Sequence, residues 1–370
     1  MSKTIVLKTN SSSYKIVIGS NLAHTLAADI KKLNIAESVF IISSPKIFGL
    51  YGKAVNSELK RSGINDIGFG IFPDGENNKS WLNYEQLLGK VLDFDNGKKK
   101  KMTVLALGGG VVGDMAGFVA SSYRRGVPFV QMPTTLLSAV DSSIGGKTGI
   151  DFRRKGKIIK NIVGSFYQPS LVLTDISFLK TLPKKELLNG LAEIIKYGVI
   201  KEAELFHFID KNIAQILDYG PEALGYIIGK STKIKRDIVQ LDEKETKNIR
   251  IILNYGHTVG HAIEGAGNFK TSHGEAVAIG MVCEAEISFK LGLLAESKCL
   301  QIERLIAKAG LPVKIKGCTV SSLMEIMKYD KKFRKGQNKF VLPVDIGKVT
   351  VKTGIPNQII RSVLEKRLIK

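Results

Sequence analysis

Three of the five histidines in this 370-residue chain fall in one short window. His257 and His261 lie in Asn254-Tyr-Gly-His-Thr-Val-Gly-His261, and His273 in Ser272-His-Gly-Glu275. His257 and His261 are four residues apart, so on a helix they share one face, the spacing of a pair of metal ligands. No Glu follows His257 directly, which excludes the H-E-x-x-H protease pattern. His273 opens a second helical stretch that runs through Gly274 to Met281. Two helices and a turn can therefore gather imidazoles around a divalent ion. The same spacing also fits a polar helix face, or core histidines satisfied by backbone carbonyls. Gly256, Gly260 and Gly265 are poor helix formers, costing roughly 1 kcal/mol each against Ala, so they point to close approach by another backbone or a ligand. One more ligand is needed, and Glu193 is the candidate. A Glu on a helix usually faces water, but Glu193 is surrounded by Leu191, Ala192, Ile194 and Ile195, with Lys196 one turn on. A buried, paired carboxylate is the expectation there.

A second group of residues suits phosphates. Met102 to Leu107 reads as a buried strand that runs into Gly108-Gly-Gly-Val-Val-Gly-Asp114 and then a helix. This is G-x-G-x-x-G between strand and helix, where glycines let a phosphate reach the backbone and the helix N-terminus favours an anion. The ribose-binding acid usual some twenty residues later is not evident, and Asp114 lies inside the loop. A tight strand-to-helix turn is the plain alternative, though three consecutive glycines argue against it. Further on, Gly145-Gly-Lys-Thr148 invites a P-loop reading that fails, because the first Gly of G-x-x-x-x-G-K-[ST] is missing and no strand directly precedes it. Its small residues, backbone amides and Lys147 still suit a phosphate or carboxylate.

The elements that must position these residues change along the chain. Residues 3 to 18 read as a hairpin, and short apolar runs such as Ser38 to Ser43 alternate with helical stretches up to about residue 173. That pattern predicts an α/β domain with a mainly parallel sheet. From Thr174 onward helices dominate, so two domains are expected, 1–173 and 174–370. The length allows ample core. No apolar run approaches the ~20 residues of a membrane helix, the N-terminus has no signal-peptide layout, and three cysteines without C-x-x-C spacing read as reduced thiols. A cytoplasmic protein is expected. The net charge of +21 raises nucleic acid as a partner. The excess is spread over the chain as Lys, in runs such as Lys98 to Lys101, with one Trp and no RNA-binding signature, so an anionic small substrate is the better reading.

Taken together these stretches resemble the 3-dehydroquinate synthase family. They are Gly108 to Asp114, Pro133-Thr-Thr-Leu-Leu with Val140 to Thr148, Gly190-Leu-Ala-Glu-Ile-Ile-Lys-Tyr-Gly198, and Asn254 to Glu264 with His273 to Val277, in the family's order. The resemblance implies a Rossmann-like N-terminal α/β domain that binds NAD+, an all-α C-terminal domain, an active site in the cleft between them, one Zn2+ or Co2+, and a homodimer. It places the metal on Glu193, His257 and His273, and moves His261 off the metal to the substrate phosphate. It places NAD+ at Glu76, Asn77, Asn78, Lys79, Gly109, Gly110, Val111, Asp114, Thr134, Thr135, Asp141, Lys147, Lys160, Phe178, Leu179, Lys180, Thr181 and Asn189. Substrate contacts fall on Arg125, Asp141, Lys147, Lys160, Asn161, Lys235, Arg250, Asn254, His261 and one of Lys331 or Lys332. Catalytic roles fall on Lys147, Lys196, Lys235, Glu245, Arg250, Asn254 and His261.

The implied substrate is 3-deoxy-D-arabino-heptulosonate 7-phosphate, a small anionic sugar phosphate of the shikimate pathway. Its C5 hydroxyl is transiently oxidised, phosphate is eliminated, the hydride is returned, and ring opening and an aldol step close the carbocycle. The chain departs from the family pattern in a longer stretch through Asp151 to Lys157 and in the spacing before Arg250. The alternatives are another sugar-phosphate cyclase, a metal-dependent polyol dehydrogenase of similar fold, and a nucleic-acid-binding protein without turnover.

Overall fold

The computed structural model describes residues 2–98, 100–154, 157–267, 271–329 and 338–369. The chain forms two compact units, Met1–Leu182 with Lys235–Lys244, and Pro183–Ile234 with Glu245–Lys370. A division at 173/174 would cut through a strand that runs to Asp175; the break falls after the 310 turn that follows it.

The first unit is built on a seven-stranded sheet. Its elements in chain order are β1 (Lys3–Lys8), β2 (Ser13–Gly19), α1 (Leu26–Leu33), β3 (Ser38–Ser43), the single turn α2 (Pro45–Ile47), α3 (Lys53–Arg61), β4 (Asp66–Ile71), α4 (Trp81–Asp95), β5 (Met102–Gly108), α5 (Gly110–Ser122), β6 (Phe129–Pro133), β7 (Lys147–Arg154), β8 (Lys157–Phe166) and β9 (Leu171–Asp175). The spatial order is β1-β2-β9-β6-β5-β3-β4. Only β1 and β2 pair antiparallel in it; the other neighbours are parallel. The core follows from the strand period of two. Val39 and Ile41 of β3 pack with Leu105 and Leu107 of β5 against Leu26, Ile30, Val55 and Leu59 on one face. Phe40, Ile42, Val104 and Ala106 pack against α4 and α5 on the other. Both faces are covered, which is why these strands read as continuous apolar runs. β3 leads outward to β4, and the chain then returns to β5 on the other side of β3. Such a reversal opens a crevice at the carboxyl ends of the strands. The stretch after Lys147 forms an antiparallel hairpin of β7 and β8.

The second unit is helical: α6 (Lys184–Ile200), α7 (Ala203–Leu217), α8 (Pro221–Leu241), α9 (His257–Ala266), α10 (His273–Lys290), α11 (Glu296–Lys308), α12 (Val320–Tyr329) and α13 (Asn357–Arg367), with the end of α8 counted in the first unit. It is not purely α. β10 (Lys339–Asp345) and β11 (Lys348–Thr353) form an antiparallel hairpin, because Phe340 to Leu342 are buried against α9 and α10 while β11 stays largely at the surface. Among the described residues no helix is long and apolar enough to cross a membrane.

The packing of α9 on α10 sets the positions of the histidines. A Cβ on Gly280 would lie 1.9 Å from the Gly256 carbonyl oxygen, and one on Gly260 would lie 3.1 Å from that of Ala276. Gly256 itself is left-handed, at φ 79°. The glycines flagged in the sequence thus admit another backbone; Gly265 differs, facing the Ile326 side chain. Gly280→Ala is expected to cost about 3 kcal/mol of stability, because its obstacle is backbone rather than a movable side chain. A thermal midpoint equal to that of the unmodified protein would show that the helices can separate without loss.

Candidate metal centre and dinucleotide site

Glu193 sits mid-helix on α6, where every residue from Gly190 to Ile200 is buried. Its carboxylate has no exposed surface. Neither oxygen receives a hydrogen bond of normal geometry; the partners are cations or imidazoles. The Lys196 ammonium meets Oε2. The Nε2 atoms of His257 and His273 lie 3.6 and 3.4 Å from Oε1. These three ligand atoms lie within 4.8 Å of one another. They fit a divalent ion: bonds of about 2.1 Å at tetrahedral angles put ligand atoms roughly 3.4 Å apart. The remaining ring nitrogens are also held. His257 Nδ1 is 3.1 Å from the Tyr255 carbonyl oxygen, and His273 Nδ1 is 3.6 Å from Glu264 Oε2. Outer partners of this kind orient imidazole ligands.

Local structure fixes each ligand. α9 starts at His257. α10 starts at His273, where the Glu275 carboxylate accepts from the Ser272 backbone N–H at 2.8 Å and its hydroxyl at 2.6 Å. Glu275 therefore closes a capping box. Asn189 Oδ1 accepts from the Gly274 N–H at 2.5 Å, which ties α6 to the start of α10. Asn189 is thus bonded beside the metal centre, although the resemblance grouped it with the cofactor residues. His261 is exposed. Its ring stands edge-on to His257, centroids 5.3 Å apart, outside the Glu193 triad. The imidazole that faces Glu193 together with that of His257 is His273, from the next helix, rather than His261 four residues on.

Burial alone would raise the Glu193 carboxyl, but Lys196 and His273 outweigh it and hold the group at about 2. Burial alone would lower His273, but Glu193 and Glu264 outweigh it and push the imidazole up to about 10. Without a metal, a protonated His273 supplies positive charge that an ion would replace. Of the other expected residues of this unit, Arg250 is buried and its Nε lies 3.1 Å from Glu245 Oε1. Asn254 closes the 310 segment Arg250–Asn254 and is half-buried. Lys331 and Lys332 lie outside the described residues.

In the first unit, Gly109 caps α5 at the carboxyl end of β5. Thr135 lies over Gly109 and Ser142 over Gly110, each 3.0 Å from where a Cβ would be. Val111 follows in the first turn of α5. The hydroxyls of Ser44, Thr134, Ser138, Ser142 and Thr174 are buried without a hydrogen-bond partner. Ser44 and Thr134 follow β3 and β6 directly, and Thr174 is the penultimate residue of β9, so unpaired hydroxyls gather at the carboxyl ends of the sheet's strands. That set fits a dinucleotide, whose hydroxyl and phosphate oxygens need such donors. Ser44 and Ser138 had no signal in the sequence, since a serine near a turn is ordinarily a turn residue, whereas Ser142 lay within a stretch that carried the resemblance without being singled out.

Lys79 is buried and its ammonium meets Asp114 Oδ2 at 2.5 Å and the Asn161 carboxamide oxygen. Burial would lower its pKa, but Asp114, Glu76 and Asp151 outweigh that and keep it above the usual lysine range. Asn161 N–H donates to Asp151 Oδ1 at 2.8 Å, and Lys160 lies near Asp151. Glu76 and Asn77 are exposed and Asn78 half-buried, in the 310 turn before Lys79. The buried Lys235 ammonium meets Asp141 Oδ1 at 2.5 Å, and Lys147 is exposed at the start of β7. The Gly-Gly-Lys stretch thus enters a strand, as the rejection of a P-loop requires. Phe178 and Leu179 are buried, Phe178 stacking on Tyr51 at 4.2 Å, while Lys180 and Thr181 are exposed. Arg125 is exposed in a left-handed turn beyond the far end of α5, roughly 18 Å along the helix from its glycines by a rise of about 1.5 Å per residue. It stands apart from the Lys79 and Lys235 groups.

Residues 70–189 match the family described as 3-dehydroquinate synthase N-terminal, and residues 190–333 that described as 3-dehydroquinate synthase C-terminal. The 3-dehydroquinate synthase of Caldanaerobacter subterraneus subsp. tengcongensis is 46% identical over 323 residues, 87% of this chain and 88% of that protein. That of Crocosphaera subtropica is 40% identical over 370 residues, 99% of each. Among solved structures, 2-epi-5-epi-valiolone synthase from Streptomyces hygroscopicus subsp. jinggangensis 5008 with NAD+ and Zn2+ bound is 28% identical, with a TM-score of 0.83 over 98% of both chains. A 2-deoxy-scyllo-inosose synthase complexed with carbaglucose-6-phosphate, NAD+ and Co2+ has a TM-score of 0.88 at 23% identity, over 99% of this chain and 100% of that one, and shares the fold.

His257→Ala is expected to reduce the zinc retained after dialysis from about one ion per chain to a trace, whereas His261→Ala keeps it. Equal loss in both, read by elemental analysis, would return His261 to the metal. The pH dependence has a defined sign. His273 is raised, so in the metal-free protein its stabilising charge is complete below about 6.5 and lost as pH rises through about 10. A metal must displace that proton, so apparent affinity is expected to rise about tenfold per pH unit across this window. A flat profile in competition with a chromophoric chelator would contradict it.

Proposed function

The chain belongs to the 3-dehydroquinate synthase family, and on that premise we propose that it converts 3-deoxy-D-arabino-heptulosonate 7-phosphate to 3-dehydroquinate and phosphate with NAD+ and one Zn2+ or Co2+. The observation that carries the reading is the fully buried Glu193 carboxylate with His257 and His273 Nε2 turned onto one of its oxygens. When bound, NAD+ supplies a hydride acceptor that is regenerated, and the ion supplies a Lewis acid at the C5 oxygen. The chemistry is that of a carbon–oxygen lyase acting on a phosphate ester.

The chain's own residues have distinct tasks. Glu193, His257 and His273 hold the ion. The glycines from Gly109, the hydroxyl of Thr134, and Lys79 with Asp114 hold and orient the dinucleotide. Arg250, kept rigid by Glu245, suits the substrate carboxylate bidentately, and Lys147, Lys196 and Lys235 supply compact positive charge to a doubly anionic substrate. Lys160, Asn161, Asn254 and Asp141 add polar contacts to it, whereas Arg125, beyond the far end of α5, is left out of this group. His261, exposed and edge-on to His257, is assigned to the substrate phosphate. The departing phosphate takes the C–H proton, so no side chain need be the base. A homodimer in the cytoplasm is inferred from the family. A second cyclase reading, a different carbocycle, is disfavoured by Arg250 and Lys235, which suit a carboxylate.

Lys147→Ala is expected to lower turnover at least ~100-fold while the circular-dichroism spectrum is kept. The reaction itself is tested by phosphate release from the heptulosonate phosphate with catalytic NAD+ and Zn2+ or Co2+. Stoichiometric phosphate without NADH build-up, abolished by a chelator, is the expected result. No phosphate would point to another cyclase, and NADH accumulation with a simple polyol to a dehydrogenase.

A further inference from the structure

One fully buried carboxylate in the second unit has no part in the chemistry above: Glu284, on α10. Three of its partners are backbone N–H groups at the start of α9. That helix begins at His257 behind Gly256, which has no side chain to cap it. The first N–H groups of a helix need acceptors from outside. Glu284 Oε2 accepts from the Gly256 N–H at 2.7 Å, and Oε1 accepts from Thr258 and Val259 at 3.2 and 3.3 Å. These donors flank His257 on both sides. A carboxylate at a helix N-terminus is also favoured by the aligned peptide dipoles.

We propose that Glu284 is a positioning residue for the metal centre, capping α9 from the neighbouring helix and thereby fixing the direction of His257. The cap holds Gly256, Thr258 and Val259, while His257 Nδ1 is set on the Tyr255 carbonyl and the Tyr255 hydroxyl donates to Met281 O at 2.8 Å on α10. With both sides pinned, the imidazole presents Nε2 to Glu193 Oε1. α10 therefore serves the metal twice, carrying His273 at its start and aiming His257 from its middle. The chemistry demands a carboxylate: both oxygens accept, whereas the amide of a Gln turns N–H donors onto backbone N–H groups.

The proposal rests on the metal-centre reading, and its test separates the two. Metal-free wild type, His257→Ala and Glu284→Gln are titrated with Zn2+ or Co2+ against a chromophoric chelator, well below the thermal midpoint, and the visible spectrum of the Co2+ form is recorded. E284Q is expected to bind about 10–100-fold more weakly than wild type, with altered Co2+ bands and an unchanged far-ultraviolet circular-dichroism spectrum. A lower thermal midpoint with wild-type Kd and Co2+ bands would overturn the proposal, leaving Glu284 as a stabilising cap only. Failure of the wild type to bind either ion would overturn the metal reading and this proposal with it. If E284Q does not fold, E284D, whose charge is drawn back by one methylene, is measured in its place. Weaker binding supports the proposal, and wild-type Kd and bands overturn it.

Discussion

Burying the Glu193 carboxylate away from all water constrains everything around it. An unpaired charge there would be strongly unfavourable, so positive groups must converge on it from several directions. Lys196 does so from one turn along α6, and His257 and His273 do so from the starts of two other helices. That convergence demands that α9 and α10 pack closely, and close packing demands glycine at Gly256, Gly260 and Gly280. The glycines that weaken α9 as an isolated helix are the condition for its place in the fold. Local helix propensity is given up for a tertiary arrangement that compensates a buried charge.

Among the described residues of this unit, Glu193 and Glu284 are both fully buried carboxylates, satisfied in different ways. Glu193 faces an ammonium and imidazoles, which leaves an opening for a dication. Glu284 faces backbone N–H groups in hydrogen-bonding range, which makes it part of the scaffold. Residue type and burial are the same in both; only the identity of the partners separates a ligand from a support. Arg367 shows a third arrangement, buried between Glu286 and Glu303 with bidentate geometry to the latter, while Lys366 brings a second cation to Glu286 Oε1 at 2.7 Å.

The first unit works by the opposite principle. Its candidate site relies on neutral backbone and hydroxyl groups at the carboxyl ends of parallel strands, and its buried lysines are each paired with an aspartate, Lys79 with Asp114 and Lys235 with Asp141. Gly113 and Gly117 are needed for packing, since a Cβ at either would strike Gln131 or Thr148. At Gly109 and Gly110 a Cβ would press on the Thr135 and Ser142 side chains at the helix start.

Much of this was legible in the sequence because it is local. Strand period, the strand-glycine-helix junction of Gly108 to Gly113, the apolar surroundings of Glu193 and the crowding of histidines all appear within windows of a few residues. The family resemblance then pointed to Glu193, His257 and His273, the group the fold brings together. What the sequence left open depends on partners distant along the chain. Four-residue spacing could not tell a His257–His261 pair from His257 with His273, because the choice depends on how one helix packs on the next. The unpaired hydroxyls of Ser44, Ser138 and Ser142 became visible only once three strand ends met. Glu284 read as one more helical glutamate until the fold set it against the start of α9. Sequence determined which elements form and which residue types are available for chemistry. Tertiary structure alone decided which polar group faces which, because burial removes water as a partner and obliges each such group to use whatever the fold brings beside it.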